Sequence, residues 1–167
     1  MRNREFSGTN RETGKMQTTD EYEQFLAELR RETGVEALAA DESGLASVRV
    51  DDKYNLNLHF VEATGKILCF VEVATLPQNA PAAVYRDLLA AGLFGAETAG
   101  GYFAVEKESG TVVYNYVFDF DKAAADPGEF ARTLEGILAL CEAWDERIRG
   151  VLVAEDAPDA PPDAIKA

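Results

Sequence analysis

Few residues in this chain are suited to catalysis, and their spacing does not favour it. His59 is the one histidine, and it falls on the polar side of an alternating apolar–polar segment. A Ser-His-Asp arrangement requires it to meet Ser7, Ser43, Ser47 or Ser109, none of which sits in a G-x-S-x-G turn. A conventional zinc site takes roughly four Cys, His or acidic ligands. One histidine with Cys69 and Cys141, both inside apolar runs, does not supply them. Gly95-Ala96-Glu97-Thr98-Ala99-Gly100 has the glycine spacing of a phosphate loop, but Gly101-Tyr102 follows where Lys-Ser/Thr would stand. Asp41-Glu42-Ser43-Gly44 and Asp51-Asp52 lack the alternating ligands and distal Glu of a calcium loop, and read as solvated turns. Asp119 and Asp121 alternate with Phe118 and Phe120. A carboxylate pair for acid–base work is conceivable there, and a water-facing sheet edge is the plainer reading. The expectation is a protein that is not an enzyme, uses no cofactor or metal, and works through its surfaces.

Composition narrows the partners. The chain has 167 residues, 47% of them apolar, which suits one domain with its own core. Its formal charge is −14, which opposes nucleic acid and anionic membranes as partners, because both select positive surfaces. No apolar run approaches the roughly 20 residues that span a bilayer. Two apolar-patterned cysteines read as reduced core thiols, and with no signal-like stretch the expected location is the cytoplasm.

The elements follow from periodicity and stop signals. Residues 1–17 are polar and slightly basic, and read as a disordered leader; residues 151–167, with A-P-D-A-P-P-D, read as a disordered acidic tail. Between them, 18–150 forms a single domain. Thr18 and Glu21 have capping-box spacing, Tyr22, Phe25, Leu26 and Leu29 form one stripe, and Gly34 stops the helix. Three short-linked strands follow, near Ala46–Val50, Tyr54–Val61 and Lys66–Ala74, and such short links make an antiparallel meander. A second helix starts near Pro81 and runs to about Leu93. A hairpin over Ser109-Gly110 joins strands Tyr102–Lys107 and Thr111–Phe120. A last helix opens at Asp126-Pro127, carries Phe130, Leu134, Ile137, Cys141, Trp144 and Ile148, and ends at Gly150. The fold class is α+β, in the order α-β-β-β-α-β-β-α, an antiparallel twisted sheet flanked by helices.

This order and several of its residues resemble the Tir chaperone (CesT-like) family, the small acidic chaperones of type III secretion. The likeness spans about residues 20–149. It includes Phe25-Leu26-x-x-Leu29, Leu38-x-x-Asp41-Glu42-x-Gly44, Val48-x-Val50-Asp51-Asp52, the Leu88–Phe94 run, the Thr98–Val105 run, and a closing helix with Phe130, Leu134 and Trp144. The leader, the tail and Gly92 within the second helix depart from the family pattern.

The resemblance implies a homodimer that binds the N-terminal segment of a secreted effector in extended form, with no cofactor. It places the dimer seam on the second helix, where Tyr85, Leu89 and Leu93 form an apolar stripe beside the core-facing Val84 and Leu88. The third strand is apolar on both faces, and an uncovered apolar face on a highly charged protein marks an interface. Phe25, Leu29, Val61, Leu68 and Phe70 are therefore the candidate effector-binding residues, with ordinary core residues as the competing reading for each. A regulatory or structural interaction domain of the same fold, or a small enzyme built around Asp119 and Asp121, are the alternatives in function.

Overall fold

The computed structural model describes residues 18–156. Helix α1 (Thr19–Thr33) starts where its capping box closes. The Thr18 hydroxyl accepts from the Glu21 amide at 3.3 Å, and the Glu21 carboxylate accepts from the Thr18 amide at 3.1 Å. Gly34, at φ 71°, ends it in the left-handed conformation that a side chain would resist. Strands β1 (Leu45–Val50), β2 (Tyr54–Val61) and β3 (Lys66–Thr75) form the meander, and α2 (Ala82–Ala91) crosses to the hairpin of β4 (Tyr102–Val105) and β5 (Thr111–Asp119). A short helix α3 (Phe120–Ala125) leads into the long α4 (Pro127–Asp156). The sheet is antiparallel throughout, in the order β1-β2-β3-β5-β4.

Strand alternation divides the sheet into two unlike faces. On the inner face Val48, Leu56, Leu58, Phe60, Ile67, Cys69, Val71, Val112 and Tyr114 are buried under α1 and α4. Tyr22 stacks on Phe60 at 5.0 Å, Phe25 meets Phe130 edge-on at 5.1 Å, and Phe118 lies 4.5 Å from Phe130. Such pairs add specific geometry to the burial itself. The Tyr22 hydroxyl donates to the Leu58 carbonyl at 3.1 Å, so the buried phenol is satisfied.

A carboxylate is also built into this interior. Asp145 of α4 is 2% exposed. Its carboxylate takes Arg149 Nε at 2.8 Å, Lys53 Nζ at 3.2 Å and the Tyr54 hydroxyl at 3.3 Å. Lys53 and Tyr54 lie beside the β1–β2 turn, where Asp51 and Asp52 both take positive φ. The cluster therefore ties that turn to α4, with each carboxylate oxygen paired as a buried charge requires.

Three boundaries differ from the sequence reading. The last helix does not end at Gly150 but continues to Asp156, so the boundary expected between 150 and 151 lies inside α4. Val151 and Leu152 repeat the stripe of Ile148 at i+3 and i+4 and pack against the core, and this outweighs the weak helix propensity of one glycine. Strand β5 stops at Asp119, whose side chain caps α3 by accepting from the Lys122 amide at 3.4 Å; Phe120 is thus helical rather than the last strand residue. Helix α2 stops at Ala91, and Leu93 falls in a tight 3₁₀ turn, Leu93–Gly95. The leader expected over residues 1–17, and the expected tail beyond 156, lie outside the described residues.

Trp144 is the packing test of α4. Its ring lies 4.9 Å from that of Phe103 on β4, and its Nε1 donates to the Glu97 carbonyl at 3.3 Å. Trp144→Ala should cost about 3–5 kcal/mol, measured by urea unfolding. The native fluorescence should be blue-shifted and move red on unfolding. A solvent-type spectrum in the folded protein would contradict this packing.

Candidate protein-binding surfaces

The groups that suggested chemistry are engaged in structure. Asp41 Oδ1 accepts from the Ser43 amide, the Ser43 hydroxyl and the Leu45 amide at 2.8, 2.7 and 3.1 Å. These bonds hold its carboxyl below the usual range and close the turn on itself. Lys66 Nζ sits 2.7 Å from Asp119 Oδ2, and this bond holds the Asp119 carboxyl low, the opposite of what a general acid needs. His59 lies half-buried on the outer face with Nε2 3.2 Å from the Ser43 carbonyl. The Gly95–Gly100 loop makes internal bonds: the Gly100 amide donates to the Gly95 carbonyl at 3.2 Å, and the Thr98 carbonyl accepts from the Tyr114 hydroxyl at 2.7 Å. At Gly101 a Cβ would overlap the Tyr114 hydroxyl and the Asn115 carbonyl, so glycine there reflects close packing of backbone on strand. Among the described residues no group of three or more His, Cys, Asp or Glu could hold a metal ion.

Two surfaces remain that the fold does not use for itself. The first is the outer face of the sheet. Its register places Leu45, His59, Leu68 and Val117 in one row, and Ser47, Asn57, Phe70, Asn115 and Tyr102 in the next. The β1–β2 corner is polar and bonded within itself. Ser47 Oγ donates to Asn57 Oδ1 at 2.7 Å, and Asn55 Nδ2 donates to Glu72 Oε2 at 2.8 Å. The β3-β5-β4 part is apolar: Leu68 is 36% exposed, Val117 49% and Tyr102 54%, with Phe70 half-buried between them. Val61 is half-buried one row further, beside the Lys66–Asp119 pair. β4 pairs with β5 only over Val112–Asn115, so Tyr116–Asp119 has no strand on that side. A groove of about 390 Å³ opens there between Tyr116, Phe118 and Phe130.

The second surface is α2. Val84, Leu88 and Ala91 face the core, while Leu89 and Leu93 are 80% and 65% exposed and Tyr85 is partly exposed beside them. The stripe marked out in the sequence is thus on the outside of the molecule. Sequence reasoning missed Val117, Tyr102 and Phe94. Cross-strand register would have found Val117 opposite Leu68, but register is not visible until β3 is known to pair with β5.

Phe25 and Leu29, expected among the effector-binding residues, are not available at the surface. They are 2% and 1% exposed and lie in the α1 layer against the sheet and α4. The stripe that makes α1 amphipathic is the one that seats it, and no second apolar face remains on that helix.

With α1 and α4 seated on one sheet face, apolar residues remain exposed on the other face and on α2, as they do at protein–protein contact surfaces. The Tir chaperone protein (CesT) family model matches residues 24–145, and the chain belongs to that family. Its fold matches that of a chain in the crystal structure of the ExsC–ExsE complex (TM-score 0.66, 21% identity, covering 80% of this chain and 97% of that one). It also matches the HopA1–SchA chaperone–effector complex (0.59, 20%, 79% and 95%). A third match is the Yersinia pestis type III secretion chaperone SycH in complex with a stable fragment of YscM2 (0.55, 17%, 78% and 98%). No curated protein sequence matches the chain significantly.

Both cysteines face the core, and burial pushes each thiol up to about 12. The thiolate is the reacting species, so neither should react with Ellman's reagent at about pH 8 in the folded protein, and both should react in concentrated urea. Rapid labelling of the native chain would contradict their place in the core.

Proposed function

We propose that this chain acts in the cytoplasm as a homodimeric type III secretion chaperone, binding the N-terminal segment of a secreted effector in extended form and keeping it soluble and secretion-competent. It does so as a binding protein, without catalysis, metal or nucleotide. One observation carries the reading: in a member of a chaperone family, the sheet face without helices bears an apolar band. Exposed apolar area of this kind in an otherwise charged surface is what an extended peptide recognises. Val61, Leu68 and Phe70 are the proposed effector contacts, joined by Val117 and Tyr102. The free side of Tyr116–Asp119 offers backbone groups to which an extended segment can add. The HopA1–SchA chaperone–effector complex, whose fold this chain shares, supports an effector as the partner.

Two measurements test this. Leu68→Ser with Phe70→Ser should abolish pull-down of a candidate effector's N-terminal segment while circular dichroism and dimer mass stay unchanged. Binding retained in that variant would move the site elsewhere. Leu89→Asp should split the dimer in light scattering at micromolar concentration, since facing buried charges cost several kcal/mol. A wild-type monomer would end the dimer reading.

A further inference from the structure

Phe94 combines two features that a folded domain normally avoids. It is 95% exposed, the most open of the large apolar residues among those described. It also holds φ 57° and ψ 9°, the left-handed region that a bulky side chain occupies at a cost. The strain projects a phenyl ring into water from the end of α2, and nothing in the protomer benefits. At the other end of α2 there is a groove of about 510 Å³, with Tyr85, Leu76, Pro77 and Val105 as its apolar wall and Gln78 with the polar turn of residues 106–110 as the other. Tyr85 belongs to the same exposed stripe as Leu89 and Leu93, so knob and groove are continuous with one surface and lie at opposite ends of it.

We propose that Phe94 is the anchor of the homodimer, inserting into the groove beside Tyr85 of a second copy, twice over about a two-fold axis. This rests on the dimer reading above and gives it a register. A knob at the C-terminal end and a groove at the N-terminal end of one helix meet only when the two α2 helices run antiparallel. A two-fold axis at Leu89 then sets Leu89 against Leu89 and Leu93 against Tyr85, and carries Phe94 to the groove. The arrangement is self-complementary, the mark of an isologous contact, and so favours a second copy over an unrelated partner. The areas agree. Tyr85, Leu89, Leu93 and Phe94 expose on the order of 600 Å², from side chains of about 150–250 Å² each, against the roughly 800 Å² per partner of a stable interface.

The test uses the full chain. Leu89→Cys should cross-link to itself under mild oxidation. Phe94→Cys mixed with Gln78→Cys should give a cross-linked heterodimer that neither variant gives alone. Phe94→Gly should weaken the dimer about 30-fold or more in sedimentation equilibrium, as loss of an aromatic hot spot does. In the monomeric Leu89→Asp background the same Phe94→Gly should leave the unfolding midpoint unchanged or raise it, because it removes only strain. A dimer that cross-links at Leu89, yet neither joins 94 to 78 nor weakens more than about twofold in Phe94→Gly, overturns the anchor and leaves the dimer standing. A wild-type monomer overturns both, and a midpoint lowered by Phe94→Gly in the monomeric background assigns the residue to the fold.

Discussion

The seating of α1 and α4 on one face of a five-stranded antiparallel sheet governs the rest of this molecule. Every second residue of β2, β3 and β5 is committed to that layer, and the ring cluster of Tyr22, Phe25, Phe60, Phe118, Phe120 and Phe130 fixes how the helices lie on it. Two helices cover one face only. The remaining face must then be polar, or be covered by something else. It is divided: the β1–β2 corner is satisfied by its own amide and hydroxyl bonds, and the β3-β5-β4 band is left apolar. The outer band is therefore a consequence of the inner packing, and no separate element builds it.

Much of this was legible in the sequence because local rules and tertiary packing agreed. The capping box at Thr18, the stop at Gly34, the strict alternation of Tyr54–Val61 and the Asp126-Pro127 opening each fixed an element to within a residue or two. The misses come from tertiary terms. Gly150 reads as a stop only while Val151 and Leu152 are not known to reach the core. Phe120 reads as a strand residue until the Asp119 carboxylate is seen capping α3. For the candidate surfaces, an apolar stripe says that a helix buries one face, not which. Periodicity alone could not separate the stripe of α1, which is all core, from that of α2, which is two stripes side by side. The width of the apolar arc was the usable signal: α2 has too many apolar residues for ten positions to bury against one neighbour.

The acidity of the chain acts alongside these surfaces. With a formal charge of −14, like molecules repel at long range, which limits indiscriminate association of a protein that exposes Leu89, Leu93 and Phe94. The repulsion is smeared over the surface and screened beyond about a Debye length, some 8–10 Å in physiological salt. Contacts that are well packed at short range overcome it, and loose ones do not. A charged surface around compact apolar patches thus raises selectivity without adding any specific contact.

The two apolar surfaces lie on different sides of the domain, and β4 reaches both. Its Tyr102 faces the outer band, in register with Asn115, while its Val105 faces inward and lines the groove beside Tyr85. Phe103 between them packs on Trp144, which ties the strand to α4. A ligand on the outer face and a second copy on α2 would therefore share no contact residue, yet would touch the same four-residue edge strand. Linkage requires that any preference of one ligand for a position of β4 be felt equally by the other. The short pairing of β4, confined to Val112–Asn115, makes it the least anchored strand between the two surfaces. If binding at one surface alters binding at the other, β4 is where the fold provides the path, and the stacking of Phe103 on Trp144 sets how stiff that path is.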